Sequence, residues 1–299
     1  MLDSPRMATA AVAKRRPGRS LTAIGVALAA VGCAPPGPAG TKTPEADTET
    51  LRTTVRMAAP LTAQLSVLRA GSPGGARLIL VHGTPGSATA WADYLLNPPP
   101  GFAVLALDRP GFGRSGPDGA VTSLAAQAAA VLALMPNDGP DDGRPVVLLG
   151  HSLGGPIAAR VAAEHPTRVT ALVLLAASLD PALEDIHPMQ HVVTWAPLRA
   201  VFAALLPRTL RNANSELLAL KPELEALALL LPRITAKVLI VHGTDDDLVP
   251  VANVPFMQAH LTGARCVKTV LLQGQNHFLP WNSEAVVRAA IQAALEPGC

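Results

Sequence analysis

Aromatic side chains are scarce here: five Phe, three Trp and one Tyr make up 3% of 299 residues. With 49% of the chain hydrophobic, Leu, Val and Ala must fill most of a core, and the length suits one large α/β domain or two small ones. Cysteine is scarcer still, at Cys33, Cys266 and Cys299. None stands in a Cys-x-x-Cys or Cys/His spacing, so no metal site is indicated. Cys266 and Cys299 are expected as independent thiols; a disulfide tying the tail to the last strand is the alternative in an oxidising compartment. Excess charge is also missing. The net charge of +2 comes from the first 32 residues, where Arg6, Lys14, Arg15, Arg16 and Arg19 outnumber Asp3 by four and leave the rest of the chain at −2. A near-neutral, slightly acidic body gives no case for nucleic-acid binding. No internal repeat is evident.

What is present begins with an address. Lys14-Arg-Arg-Pro-Gly-Arg19 precedes the apolar run 21–32, a basic segment followed by a hydrophobic one, as in a secretory signal spanning residues 1–32. Twelve residues are too few to cross a bilayer, which takes roughly 20. Met7 is an alternative start. The following Ala30-Val-Gly-Cys33 resembles the lipobox of bacterial lipoproteins, with Ala30 where leucine is more usual. The resemblance implies acyl chains on Cys33 and attachment to the bacterial cell envelope, with Ala34 favouring the outer membrane. Ordinary secretion is the alternative. Residues 34–50 are rich in Pro, Gly and Thr and read as a flexible linker that contributes nothing to a core.

From residue 51 the chain alternates. Runs with strand character lie at 53–57, 61–70, 77–81, 102–107, 146–149, 171–175, 238–241 and 267–272, with helical spacing at 88–95, 121–134, 157–164, 251–261 and 283–295. Strands apolar throughout and separated by helices predict a mostly parallel sheet covered on both faces. Residues 178–236 break the rhythm. They hold amphipathic stretches at 198–206 and 216–231 and predict a helical lid insertion over the sheet's C-terminal edge, where ligands bind in open α/β folds.

The segment Gly150-His-Ser-Leu-Gly-Gly155 follows an apolar strand and precedes Pro156, a residue suited to a first helical turn. Glycines at 150 and 154 remove side chains that a sharp strand–turn–helix would crowd, leaving the Ser152 hydroxyl exposed. Further landmarks are His82-Gly-Thr-Pro-Gly-Ser87, Asp108-Arg-Pro-Gly-Phe-Gly-Arg-Ser115, His242-Gly-Thr-Asp-Asp-Asp-Leu-Val-Pro250 and Gln273-Gly-Gln-Asn-His277. In this order and over residues 55–296 the chain resembles the α/β-hydrolase superfamily.

That resemblance implies the α/β-hydrolase fold, with a mostly parallel eight-stranded sheet, helices on both faces and a lid. It also implies a serine nucleophile at Ser152, a base at His277 and an acid at Asp246, the last flanked by Asp245 and Asp247 as alternatives. The backbone N–H groups of Thr84 and Leu153 are the implied oxyanion donors. His82 and His242 are expected to make structural hydrogen bonds, His151 to point away from the nucleophile, and Asp108 to organise a turn. Trp195 and Phe202, with Met189 and the leucines of 217–231, are candidate substrate contacts. The expected activity is cleavage of small carboxylic esters without a cofactor. Thioesterase, lactonase, peptidase, C–C hydrolase and perhydrolase chemistry remain open on the same residues. An inactive, surface-tethered binding protein is the alternative from another class.

Overall fold

The computed structural model describes residues 44–57, 63–135, 143–184 and 205–299. The expected signal, Cys33, Met189, Trp195, Phe202 and most of the 198–206 stretch lie outside these residues. Eight strands form one sheet: β1 (Arg52–Arg56), β2 (Gln64–Gly71), β3 (Ala76–Val81), β4 (Phe102–Leu107), β5 (Val146–His151), β6 (Ala171–Leu175), β7 (Lys237–Gly243) and β8 (Cys266–Leu272). Their spatial order is β1-β2-β4-β3-β5-β6-β7-β8. β2 runs antiparallel to both neighbours and every other pairing is parallel. Eight short strands are therefore present, as the alternating pattern predicts.

Burial follows position in the sheet. β5, β6 and β7 are buried at every residue, whereas the edge strands β1 and β8 alternate with exposed positions. Parallel strands covered on both faces must be apolar throughout, since neither face meets water. One face packs against α3 (Leu124–Leu132), α4 (Gly154–Glu164), α5 (Arg208–Ala228) and α6 (Asn253–His260) through Val131, Ile157, Leu224 and Met257. The other holds Trp91, Tyr94 and Leu95 around α2 (Ala92–Leu96), with Val287 and Ile291 of α8 (Glu284–Ala293). The short α7 (Leu279–Asn282) leads into α8.

Three elements differ from expectation. Residues 44–48 form α1 (Pro44–Thr48), although the linker was expected to run to Thr50. Thr48 is buried and Glu49 pairs with Arg52 and Arg114 at 3.2 and 2.7 Å, so specific ion pairs hold what composition reads as a tether. The insertion's helix starts at Arg208, eight residues before the amphipathic stretch. Its polar first turns are docked by Asn212, which donates to the carbonyls of Gly111 and Asp118, and by Arg208, which pairs with Asp118 at 2.9 Å. Finally, Cys266 and Cys299, expected as separate thiols, form a disulfide with Cα atoms 5.5 Å apart. The buried Lys237 explains the meeting. It pairs in register with Cys266, and its ammonium donates to the carbonyls of Ala293 and Glu296, bringing the tail back to the start of β8.

Candidate active site

Ser152 sits between β5 and α4 with φ = +56°. For a residue with a Cβ this left-handed conformation costs on the order of 1–2 kcal/mol, and the surroundings must enforce it. Its N–H donates to the Leu175 carbonyl of β6 at 3.1 Å, and its carbonyl accepts from Gly155 at 2.9 Å. A Cβ at Gly150 would run into the backbone of Gly154, and one at Gly154 into the carbonyls of Val81 and His82. The turn is therefore closed by backbone packed directly on backbone.

The 82–87 loop crosses over this turn. A Cβ at Gly83 would lie 2.7 Å from Ser152 Cβ and 3.2 Å from its Oγ, so the peptide that carries the Thr84 N–H lies beside the serine. His82 holds the loop. Its Nδ1 faces the Gly83 carbonyl at 2.7 Å, while its Nε2 accepts the Arg109 N–H at 3.0 Å. These partners require the neutral tautomer with the proton on Nδ1. Burial and the nearby Arg109 guanidinium push its pKa well below the usual imidazole range.

Across the strand ends, His277 and Asp246 are joined. His277 Nδ1 lies 2.8 Å from Asp246 Oδ2, so this nitrogen donates to the carboxylate and Nε2 is left as the basic atom. Asp246 is 5% exposed, and its other oxygen accepts the N–H groups of Leu248 and Val249 at 3.0 and 2.8 Å. Asp245 and Asp247 are exposed. Of the three consecutive aspartates, only the central one meets the histidine.

His242 and His151 flank the pair. His242 Nε2 donates to the Val249 carbonyl at 2.9 Å, and burial lowers its pKa. The His151 ring sits in a cage of Trp91, Trp281 and His277 rings, 4.8 Å from the last. Its Nε2 donates to the His277 carbonyl at 3.0 Å. Burial, reinforced by His277, pushes its pKa down to about 3, so it is a neutral donor that fixes the His277 backbone. Sequence reasoning did not identify this contact.

Asp108 proves to be the hub of a turn. Its carboxylate accepts the N–H groups of Ala88 and Arg114 and the Arg52 guanidinium. Arg109, Gln127 and Glu216 form a buried cluster that sequence reasoning did not single out. The readable signal is an acid on the apolar side of α5, among Leu210, Ala213, Leu220 and Leu224. A cavity of about 460 Å³ adjoins the same loop, lined by Pro85, Ser87, Arg52, Asp108, Arg114 and Leu210; neither Ser152 nor His277 lines it. Among the described residues, no group of three or more His, Cys, Asp or Glu could hold a metal ion.

Residues 78–290 match the sequence profile of the alpha/beta hydrolase family. The chain belongs to that family. Among curated relatives, lipase LipV of Mycobacterium tuberculosis is 41% identical over 119 residues, 40% of this chain and 42% of that protein. Pimeloyl-[acyl-carrier protein] methyl ester esterase of Klebsiella pneumoniae is 41% identical over 105 residues, 35% and 38% of the two chains. The matches thus span about two fifths of each relative. A solved hydrolase, 2-hydroxy-6-oxo-6-phenylhexa-2,4-dienoate hydrolase from Rhodococcus sp., superposes with TM-score 0.61 at 19% identity, covering 81% of this chain and 98% of that one. At that identity the likeness concerns the alpha/beta hydrolase fold.

Proposed function

We propose that this alpha/beta hydrolase cleaves carboxylic esters through Ser152, His277 and Asp246, by way of an acyl-enzyme. The observation that carries the reading is the buried His277–Asp246 hydrogen bond at the same end of the sheet as a serine held at positive φ. Ser152 Oγ attacks the ester carbonyl while His277 Nε2 takes its proton, and Asp246 stabilises the imidazolium. The oxyanion that forms is met by the N–H groups of Thr84 and Leu153. Collapse expels the alcohol, which receives the proton from His277. Water, deprotonated by the same nitrogen, then attacks the acyl carbon and releases the acid and Ser152. The two relatives described above are named as a lipase and a methyl ester esterase, which favours esters over amides or carbon–carbon bonds. Acyl attachment through Cys33 would hold this activity at the cell envelope.

The test is a series of p-nitrophenyl esters of rising acyl length, run on wild type and Ser152→Ala beside labelling with a fluorophosphonate. Wild type should turn over and label, and Ser152→Ala should do neither. Turnover that survives in Ser152→Ala removes the serine mechanism. Labelling without ester turnover moves the reading to thioester, amide or carbon–carbon substrates, and no labelling at all to a binding protein.

A further inference from the structure

The helix α5 hydrogen-bonds to the 82–87 loop through Glu216. Glu216, 3% exposed, has all four of its acceptor positions filled. Its Oε1 takes Arg109 Nη1 at 2.7 Å and Gln127 Nε2 at 2.9 Å, and its Oε2 takes Arg109 Nη2 at 3.0 Å and Thr84 Oγ1 at 2.7 Å. Arg109 Nη2 also donates to the Gly83 carbonyl at 3.0 Å, the same oxygen that His82 Nδ1 engages at 2.7 Å.

These contacts converge on one peptide plane. The Gly83 carbonyl and the Thr84 N–H belong to the same unit, which is not among the cis bonds. In a trans peptide the two groups point in opposite directions. Two donors pinning the carbonyl therefore fix the direction of the N–H, and the threonine hydroxyl anchors the next side chain to the same carboxylate. We propose that Glu216 is a positioning residue: acting through Arg109 and Thr84, it holds the Thr84 N–H in the orientation that receives the oxyanion. The proposal rests on the serine-hydrolase reading. A donor that must be aligned before the reaction begins contributes only when charge develops on oxygen, so its misalignment lowers kcat with little effect on KM.

Four variants test it: Thr84→Val, which keeps the shape and the N–H but removes the hydroxyl; Thr84→Ser, which restores it; Glu216→Gln; and Asn212→Ala. The last weakens the docking of α5 at Gly111 and Asp118 without touching the loop. Turnover of p-nitrophenyl butyrate, inhibition by a boronic acid that forms a tetrahedral adduct with the serine, and thermal melting are measured for each. Thr84→Val and Glu216→Gln should lose roughly 10- to 100-fold in kcat and a similar factor in boronate affinity, with KM within about twofold. Thr84→Ser should recover most of the loss. Asn212→Ala should melt earlier and keep its kcat. Where Glu216→Gln leaves Arg109 uncompensated and fails to fold, Thr84→Val carries the test, since it leaves the Arg109–Glu216 pair intact. Unchanged kcat in Thr84→Val, or an equal loss in Asn212→Ala, overturns the positioning role while Ser152-dependent turnover stands. A wild type without Ser152-dependent turnover overturns both.

Discussion

At the scale of single residues, the three consecutive aspartates 245–247 differ in what they meet. One carboxylate is buried against an imidazole, and its neighbours face water. Asp246→Asn would present an amide where His277 needs an acceptor, favouring the wrong tautomer; a comparable change in a serine protease costs about 10⁴-fold in kcat. Asp246→Asn should therefore lose on the order of 10³–10⁴-fold, and Asp245→Asn and Asp247→Asn less than about threefold. Steady-state turnover of one ester by the three purified variants checks this, and comparable losses in all three would move the acid elsewhere. The family's spacing already pointed to Asp246 in the sequence, with Asp245 and Asp247 kept as alternatives. Spacing placed all three on one loop, and only the backbone N–H groups of Leu248 and Val249 turn the middle one inward.

At the scale of elements, the junction between β5 and α4 shows why glycine recurs there. Helix propensity by itself favours Ala over Gly by about 1 kcal/mol, so Gly154→Ala would stabilise an isolated helix. In the folded chain the added methyl would overlap the Val81 and His82 carbonyls, and relieving such overpacking typically costs about 1–3 kcal/mol. The steric effect wins. Gly154→Ala should melt below wild type and lose turnover as the turn shifts under Ser152; a melting temperature above wild type would contradict the packing described. This junction was legible in the sequence, because its Gly and Pro positions follow from local sterics. The first turns of α5 were not, because Arg208 and Asn212 are made helical by carbonyls about 100 residues earlier in the chain.

At the scale of the molecule, three buried histidines share one direction of pH response. His82, His151 and His242 all have lowered pKa values, chiefly through burial. An unfolded chain takes up protons at these positions below its ordinary histidine pKa of about 6.5, whereas the folded chain does not. Their contribution to stability is thus complete above about pH 6.5 and declines as pH falls toward the folded values, about 3 for His151. For His151 the slope is roughly 1 kcal/mol per pH unit between its unfolded and folded values. His82 and His242 act in the same direction, so melting temperature should drop between pH 7 and pH 5. His151→Gln, whose amide can still donate to the His277 carbonyl, should make that drop shallower. Melting curves across the range check both; a flat profile would mean that these imidazoles are protonated in the fold.

Strand runs, glycine turns and the order of the serine, acid and histidine landmarks are local properties, written in hydrophobic pattern and steric need, and the amino-acid sequence determined them by itself. Tertiary structure decided which groups far apart along the chain became partners: Cys266 with Cys299, His151 with the His277 carbonyl, and Glu216 with Arg109 and Thr84. Such pairs carry no local signature. A buried polar group is stable only when hydrogen-bonded, and which partner it finds depends on the strand order and helix placement that bring distant segments together.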